Sequence, residues 1–198
     1  MSPKMLSGIA AAVLLASAQD ARAEEPTAND EQISCDQFQS KFPTPGKTKV
    51  VFSTTNPTES WVDKQQVNKD WVCVKLNADG LKTYKVTASI NSSFYKWVVT
   101  DSEKTCQSVA KRVNDAVKGF EQEHINDVKP ILEEFNKKLD DDVKPNDYCG
   151  AKVNEAMSAL KTAGNAVADK ADTKYDGHAQ DLDLGGKHTV SYNCSCAH

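Results

Sequence analysis

The chain has no excess of positive charge. Its formal net charge is −4 over 198 residues, so it lacks the basic footprint that recognition of a nucleic-acid backbone requires, and anionic membrane surfaces have little hold on it. Beyond Ala18 no apolar run is long enough for a membrane span. There is no internal repeat and no low-complexity tract, which sets aside solenoids and biased linkers. There is no glycine-rich phosphate loop, no Gly-x-Ser-x-Gly elbow and no Ser/His/Asp signature, so nucleotide binding and serine hydrolysis have no foothold. What is present is 39% hydrophobic and 26% charged residues, a balance that suits one domain with its own core.

The first 23 residues read as an export signal. Lys4 supplies a short positive region, Leu6 to Ala18 is apolar, and Ala21-Arg22-Ala23 is a small-x-small cleavage site. No cysteine follows that site, so a lipid anchor is not expected. Residues 24–34 are polar and acidic and read as a flexible leader. Residues 35–198 remain as a single α+β domain. Six cysteines follow the leader's start: Cys35, Cys73, Cys106, Cys149, Cys194 and Cys196. An even count in an exported chain points to disulfides and to a periplasmic or secreted location, but spacing does not select the connectivity. Cys194 and Cys196 stand too close for a bridge between them, so each is expected to have its own partner. In a eukaryotic secretory pathway Asn91-Ser92-Ser93 and Asn193-Cys194-Ser195 would be glycosylation acceptors.

The first half is β-rich. Lys49 to Ser53 is a strand candidate, Trp71 to Leu76 alternates, and Asn77-Ala78-Asp79-Gly80 is a turn signal. Leu81 to Ile90 alternates again, with Tyr84, Val86, Ala88 and Ile90 on one face. The spacing predicts an antiparallel pair with 71–76. Ser93 to Val99 reads as a further strand, with Tyr95 and Trp97 expected in the core. At the far end, His188, Val190, Tyr192, Cys194 and Cys196 fall on alternate positions and predict a closing strand.

The longest periodic stretch runs from Ser102 to Leu139. Cys106, Val109, Val113, Val117, Phe120, His124, Val128, Ile131 and Phe135 recur at helical spacing, opposite a charged face. Thr100-Asp101-Ser102 supplies capping chemistry, and Pro130 predicts a kink or a split. A second helix is predicted from near Tyr148, with Cys149, Val153, Ala156, Leu160, Ala163, Val167, Ala171 and Tyr175 along its buried stripe. The two would form an antiparallel hairpin against the sheet.

One residue in the first stripe is out of place. His124 lies among apolar side chains, with Glu121 three residues before it and on the same face. Glu-x-x-His is the second half of HExxH, in which two histidines bind zinc and the Glu is the general base. Here Phe120 stands where the first histidine would be, and a benzyl ring has no lone pair. Against the metal reading stands a structural one, in which His124 is a packed core histidine satisfied by a carboxylate such as Glu121.

With the β-rich first half, Glu121 and His124 on a helix, Cys149 before a second helix, and Tyr175-Asp176 followed by His178, the chain resembles a family of bacterial exported proteins assigned as zinc-dependent proteases. Phe120 departs from that family's pattern, and His178 follows its motif at shorter spacing. The resemblance implies that zinc is held by His124 with His178 or Asp176, and that Glu121 takes a proton from metal-bound water. A straight hairpin centred near Val143 opposes this. It places His124 opposite Ala163 and Gly164, with His178 roughly fourteen residues further, on the order of 20 Å away.

Cys194-x-Cys196-x-His198 has soft-metal spacing, but oxidised cysteines are the simpler reading. His188 has no evident companion. Asp176, Asp181 and Asp183 make an acidic loop without calcium-loop spacing. Two functions follow from the residues. One is a protease-like chain with an impaired or lost zinc site. The other is a non-enzymatic, disulfide-stabilised binding domain for a protein or peptide, with His124 in the core.

Overall fold

The computed structural model describes residues 25–41, 46–184 and 194. The chain is α+β, and its described residues form two three-stranded sheets. The first contains β1 (Thr27–Ile33), β2 (Gly46–Thr54) and β5 (Val86–Trp97) in the order β1-β5-β2. The second contains β3 (Val62–Asn68), β4 (Trp71–Leu76) and β6 (Tyr148–Gly150) in the order β3-β4-β6. All pairings are antiparallel except β1 with β5, which is parallel. The helices are α1 (Cys35–Lys41), α2 (Ala78–Thr83), α3 (Gln107–Asn126), α4 (Val128–Asp142) and α5 (Val153–Leu184).

Several elements differ from the sequence expectation, each for a local reason. The segment expected as a flexible leader contributes β1, because Ile33 is buried beside Cys35 and both lie against β5. Asn77 is not a hairpin corner. Its side-chain oxygen accepts from the N–H groups of Asp79 and Gly80, so the turn signal is the cap of α2. That helix separates β4 from β5, and β4 pairs with β3 and β6 instead. Of the expected strands 81–90 and 93–99, residues 86–97 form one strand, β5, of 12 residues, while 81–83 belong to α2.

The long helical stretch divides as the proline suggests, but three residues earlier. A 3₁₀ turn (Asp101–Cys106) precedes α3, and the break falls at Asp127. Pro130 is the third residue of α4, where a backbone N–H has no intrahelical partner to lose. Cys149 lies in β6 and not in a helix, because its disulfide holds it directly opposite Cys73. The helix therefore starts at Val153. The predicted closing strand lies outside the described residues, except for Cys194.

The described residues form two apolar clusters. The larger gathers Val50, Phe52, Val74, Val86, Ile131, Phe135, Leu139, Leu160 and Ala171 among others, between β2, β4, β5, α4 and α5. The smaller holds Ile33, Cys35, Phe38, Phe94, Trp97, Cys106, Ala110, Val113 and Val117, between β1, β5, α1 and α3. Small residues let α5 lie close to the sheet: a Cβ at Gly164 would overlap the Tyr84 hydroxyl. That hydroxyl donates to the carbonyl of Leu160 at 3.2 Å.

β5 runs under both clusters, and an asparagine holds each end. Asn136 of α4 accepts from the Val86 N–H at 2.8 Å and donates to its carbonyl at 3.1 Å. Asn114 of α3 makes the same two bonds to Trp97, both at 2.9 Å. Each amide completes the backbone hydrogen bonding of a strand terminus, as a neighbouring strand would.

Candidate functional site

Where the two clusters meet, the inward faces of β2 and β5 turn polar. Val50 pairs with Ile90 on the larger side; the next inward pair is Thr48 with Ser92; the pair after that is Gly46 with Phe94. Glu121, from the last turns of α3, comes down onto this pair. Thr48 Oγ1 donates to Glu121 Oε2 at 2.5 Å, and the hydroxyls of Thr48 and Ser92 lie 2.6 Å apart. Gly46 leaves the room that the carboxylate occupies, since a Cβ there would overlap it. Glu121 is 2% exposed, His124 6% and Ser92 8%, and these are the buried polar residues among those described. Phe120 meets the His124 ring edge-to-face, with centroids 4.7 Å apart.

Thr48 and Ser92 were not singled out from the sequence. A signal was available: each falls in phase with apolar inward neighbours, Val50 and Phe52 on one strand and Ile90 and Phe94 on the other. A hydroxyl in an apolar register needs a partner. Only the pairing register, which the sequence does not state, shows that Ser92 finds Thr48 and Thr48 finds Glu121.

The other proposed site residues lie elsewhere. Tyr175 is buried and its ring sits 6.1 Å from that of Phe52. Asp176 and His178 are exposed and lie within α5, not in a loop, as do Asp181 and Asp183. His178 lines a recess of about 140 Å³ with Asp127, Pro130, Ile131, Glu134 and Lys174. The hairpin is centred beyond Val143, because 143–152 includes a strand. Lys174 consequently bonds Glu134, and His178 comes beside the start of α4. Gly164 faces Tyr84 and Thr54 and not His124. In the recess, hydrogen bonds from Lys138 and Lys174 pull the Glu134 carboxyl down to about 2.

A catalytic zinc takes three protein ligands and an open position. Among the described residues, no three His, Cys, Asp or Glu side chains are grouped to hold a metal ion. Glu121 and His124 share a helix, but the Glu121 carboxylate is bonded to Thr48 and closed in by the Gly46 backbone. Among the described residues, the donor set that the resemblance implies is not assembled.

The cysteines form staples. Cys35 is bonded to Cys194 and Cys73 to Cys149, and Cys106 is also in a disulfide. The thiol of Cys194 is therefore committed, which removes it from the proposed Cys-x-Cys-x-His chelate. Cys196, His188 and His198 lie outside the described residues. Glu103 ties the staple region together. Its carboxylate accepts from the N–H groups of Cys35 and Thr100 and from the Trp97 indole. Burial pushes this carboxyl up, but those donors outweigh it and hold it below the ordinary range. No helix among the described residues is long and apolar enough to cross a membrane. No family model, curated protein or solved structure matches the chain.

Proposed function

We propose that this chain is a disulfide-stabilised binding domain of an oxidising compartment, periplasmic or extracellular, that recognises a protein or peptide. In this reading Glu121 and His124 hold the fold and do not catalyse. The observation that carries it is the closure of Glu121: its carboxylate bonds Thr48 and lies against Gly46 at the seam of two apolar clusters. A general base must reach the proton it removes, and this carboxylate is 2% exposed. The disulfides support the compartment, and the pattern of the first 23 residues supports export. The resemblance to exported zinc-dependent proteases is then one of scaffold, with Phe120 marking the missing ligand.

The test is metal content. The chain is produced in an oxidising compartment, purified without chelator or affinity tag, and compared with His124→Ala by metal mass spectrometry and thermal melting. The expected result is no stoichiometric zinc in either protein and a lower melting temperature for His124→Ala. Near-stoichiometric zinc that disappears in His124→Ala would overturn the reading and restore a metallopeptidase.

A further inference from the structure

The second sheet ends on one side at β6 and on the other at β3. The β6 edge is closed by the start of α5: a Cβ at Gly150 would overlap Glu155 and the backbone of Ala156. Further along, α5 also closes the edge of β2, where Asp172 accepts the Phe52 N–H at 2.8 Å. The β3 edge is open. After buried Val62 every residue of that strand is exposed. Among the described residues, no hydrogen bond from outside the sheet reaches the backbone of 63–67. An open strand edge is a template for pairing with another chain.

The hydrogen-bond phase shows which groups are open. The Asn77 N–H donates to the Trp61 carbonyl at 2.9 Å, one step beyond the pair of Val62 with Leu76. Hydrogen-bonded pairs alternate along an antiparallel ladder, so Asp63 and Gln65 turn their backbone groups to Lys75 and Cys73 of β4. Lys64 and Gln66 turn theirs to the open edge. The same phase makes Cys73 and Cys149 a non-hydrogen-bonded pair, the closer kind, and their Cα atoms are 4.0 Å apart. The edge therefore offers an N–H and a carbonyl at Lys64 and again at Gln66, roughly 7 Å further on. The side chains add a pattern. Asp63 is exposed and has no ion-pair partner among the described residues. Lys75, directly across on β4, pairs with Asp147 at 3.7 Å instead. At the other end of β3 the register shifts between Gln66 and Asn68, and Val67 is 55% exposed; Trp71, opposite Asn68, is 44% exposed.

We propose that β3 receives an extended segment of a partner polypeptide as an added antiparallel strand, with an apolar residue beside Val67 and, four positions later, a basic residue facing Asp63. The backbone groups of Lys64 and Gln66 supply the pairing. Opposite charges directly across from one another add to it and set the register. The occupant is a different chain and not a second copy, because β3 does not complement itself. A two-fold antiparallel pair of β3 strands centred on Lys64 sets two lysines face to face, and one centred on Gln65 sets Asp63 against Val67. One centred on Gln66 runs into the register shift at Val67. The proposal rests on the binding-domain reading of the preceding section and names its partner. Either can fail alone, since the zinc and melting measurements do not involve β3.

The experiment is an NMR titration of the full chain, observed at its backbone amides, with three peptides. The first is acetyl-Thr-Phe-Thr-Gln-Thr-Lys-Thr-amide, which sets Phe beside Val67 and Lys across from Asp63. The second carries Glu in place of that Lys. The third is the first with N-methyl groups on its third and fifth residues, which removes the donors to the Gln66 and Lys64 carbonyls. The first is expected to shift the Lys64 and Gln66 amides saturably, the second to bind about fivefold more weakly, and the third not to bind. Asp63→Lys is expected to reverse the preference between the first two. Lys64→Pro replaces an N–H that β4 does not use, so the sheet is expected to persist and binding to be lost. No saturable shift with the first peptide, undiminished binding of the methylated one, equal affinity for the Lys and Glu peptides, or an unchanged preference in Asp63→Lys would each overturn the proposal. So would a concentration-dependent dimer with protected Lys64 and Gln66 amides, which would make a second copy the occupant.

Discussion

The two interior clusters are built differently. The larger draws eighteen buried residues from both sheets and two helices, and a cross-strand disulfide lies beside it, on β4 and β6. The smaller has nine, of which two are disulfide-bonded cysteines, and half-buried Cys194 packs against it. Apolar area removed from water is what stabilises a core, and a small core removes little of it. The smaller region makes up the difference covalently, and with the Glu103 carboxylate that gathers Cys35, Trp97 and Thr100. The comparison teaches that the two ends of β5 rest on different physics, packing at Val86 and cross-linking at Trp97.

The largest effect should come from opening the long staple. Cys35→Ala with Cys194→Ala removes a link across 159 residues, and Cys73→Ala with Cys149→Ala one across 76. Single-loop entropy gives about 4–5 kcal/mol for either, so the size of the loss does not separate them. Its location does. Without Cys35–Cys194, hydrogen exchange at the Trp97 indole should rise while the amides of α5 stay protected. If both lose protection together, the two clusters are one cooperative unit and the contrast is wrong.

Packing loss in the larger cluster comes next. Leu160 of α5 is fully buried in the larger cluster. Leu160→Ala should cost about 3 kcal/mol in urea unfolding, with the α5 amides losing protection before the Trp97 indole. A smaller effect should follow at the clamps. Asn136→Ala and Asn114→Ala each strip partners from one backbone N–H and one carbonyl, at Val86 and at Trp97. A loss of about 1–3 kcal/mol is expected for each. Exchange should quicken at Val86 in the first and at Trp97 in the second, and the reverse pattern would break the assignment.

The same contrast explains what could be read from the chain beforehand. The larger cluster rests on regular periods, and Ile131, Phe135, Ala156, Leu160, Val167 and Ala171 all lie where helical spacing puts them. Long-range facts were not legible. The pairing of Cys35 with Cys194 is one of many combinations, and the seam exists only because register sets Thr48 against Ser92. Two local signals were ambiguous. Asn77 serves equally as a turn residue and as a helix cap. Pro130 marks the start of the second helix as well as the interruption of the first, so the break lies upstream of it.

The smallest expected effect has the opposite sign and tests the rim of the larger cluster. Asp172 of α5 accepts the Phe52 N–H at 2.8 Å, which fixes the helix to β2. Burial pushes its carboxyl up and the charges of Asp176 and Asp169 add to this, while the Phe52 bond opposes them. A carboxyl whose folded pKa lies above its unfolded one binds its proton more tightly in the folded state. Its ionisation therefore weakens the fold as pH rises through that window, and the penalty is complete above the folded value. Asp172→Asn keeps an oxygen for the Phe52 N–H and removes the charge. At pH 7 it should raise stability by about 0.5 kcal/mol or less, and the gain should vanish as pH falls below the ordinary aspartate range. Melting curves of both proteins at neutral and acid pH measure this. A loss at neutral pH would mean that the ionised carboxylate's stronger bond to Phe52 outweighs its burial and repulsion, and that this rim is held by charge and not by packing.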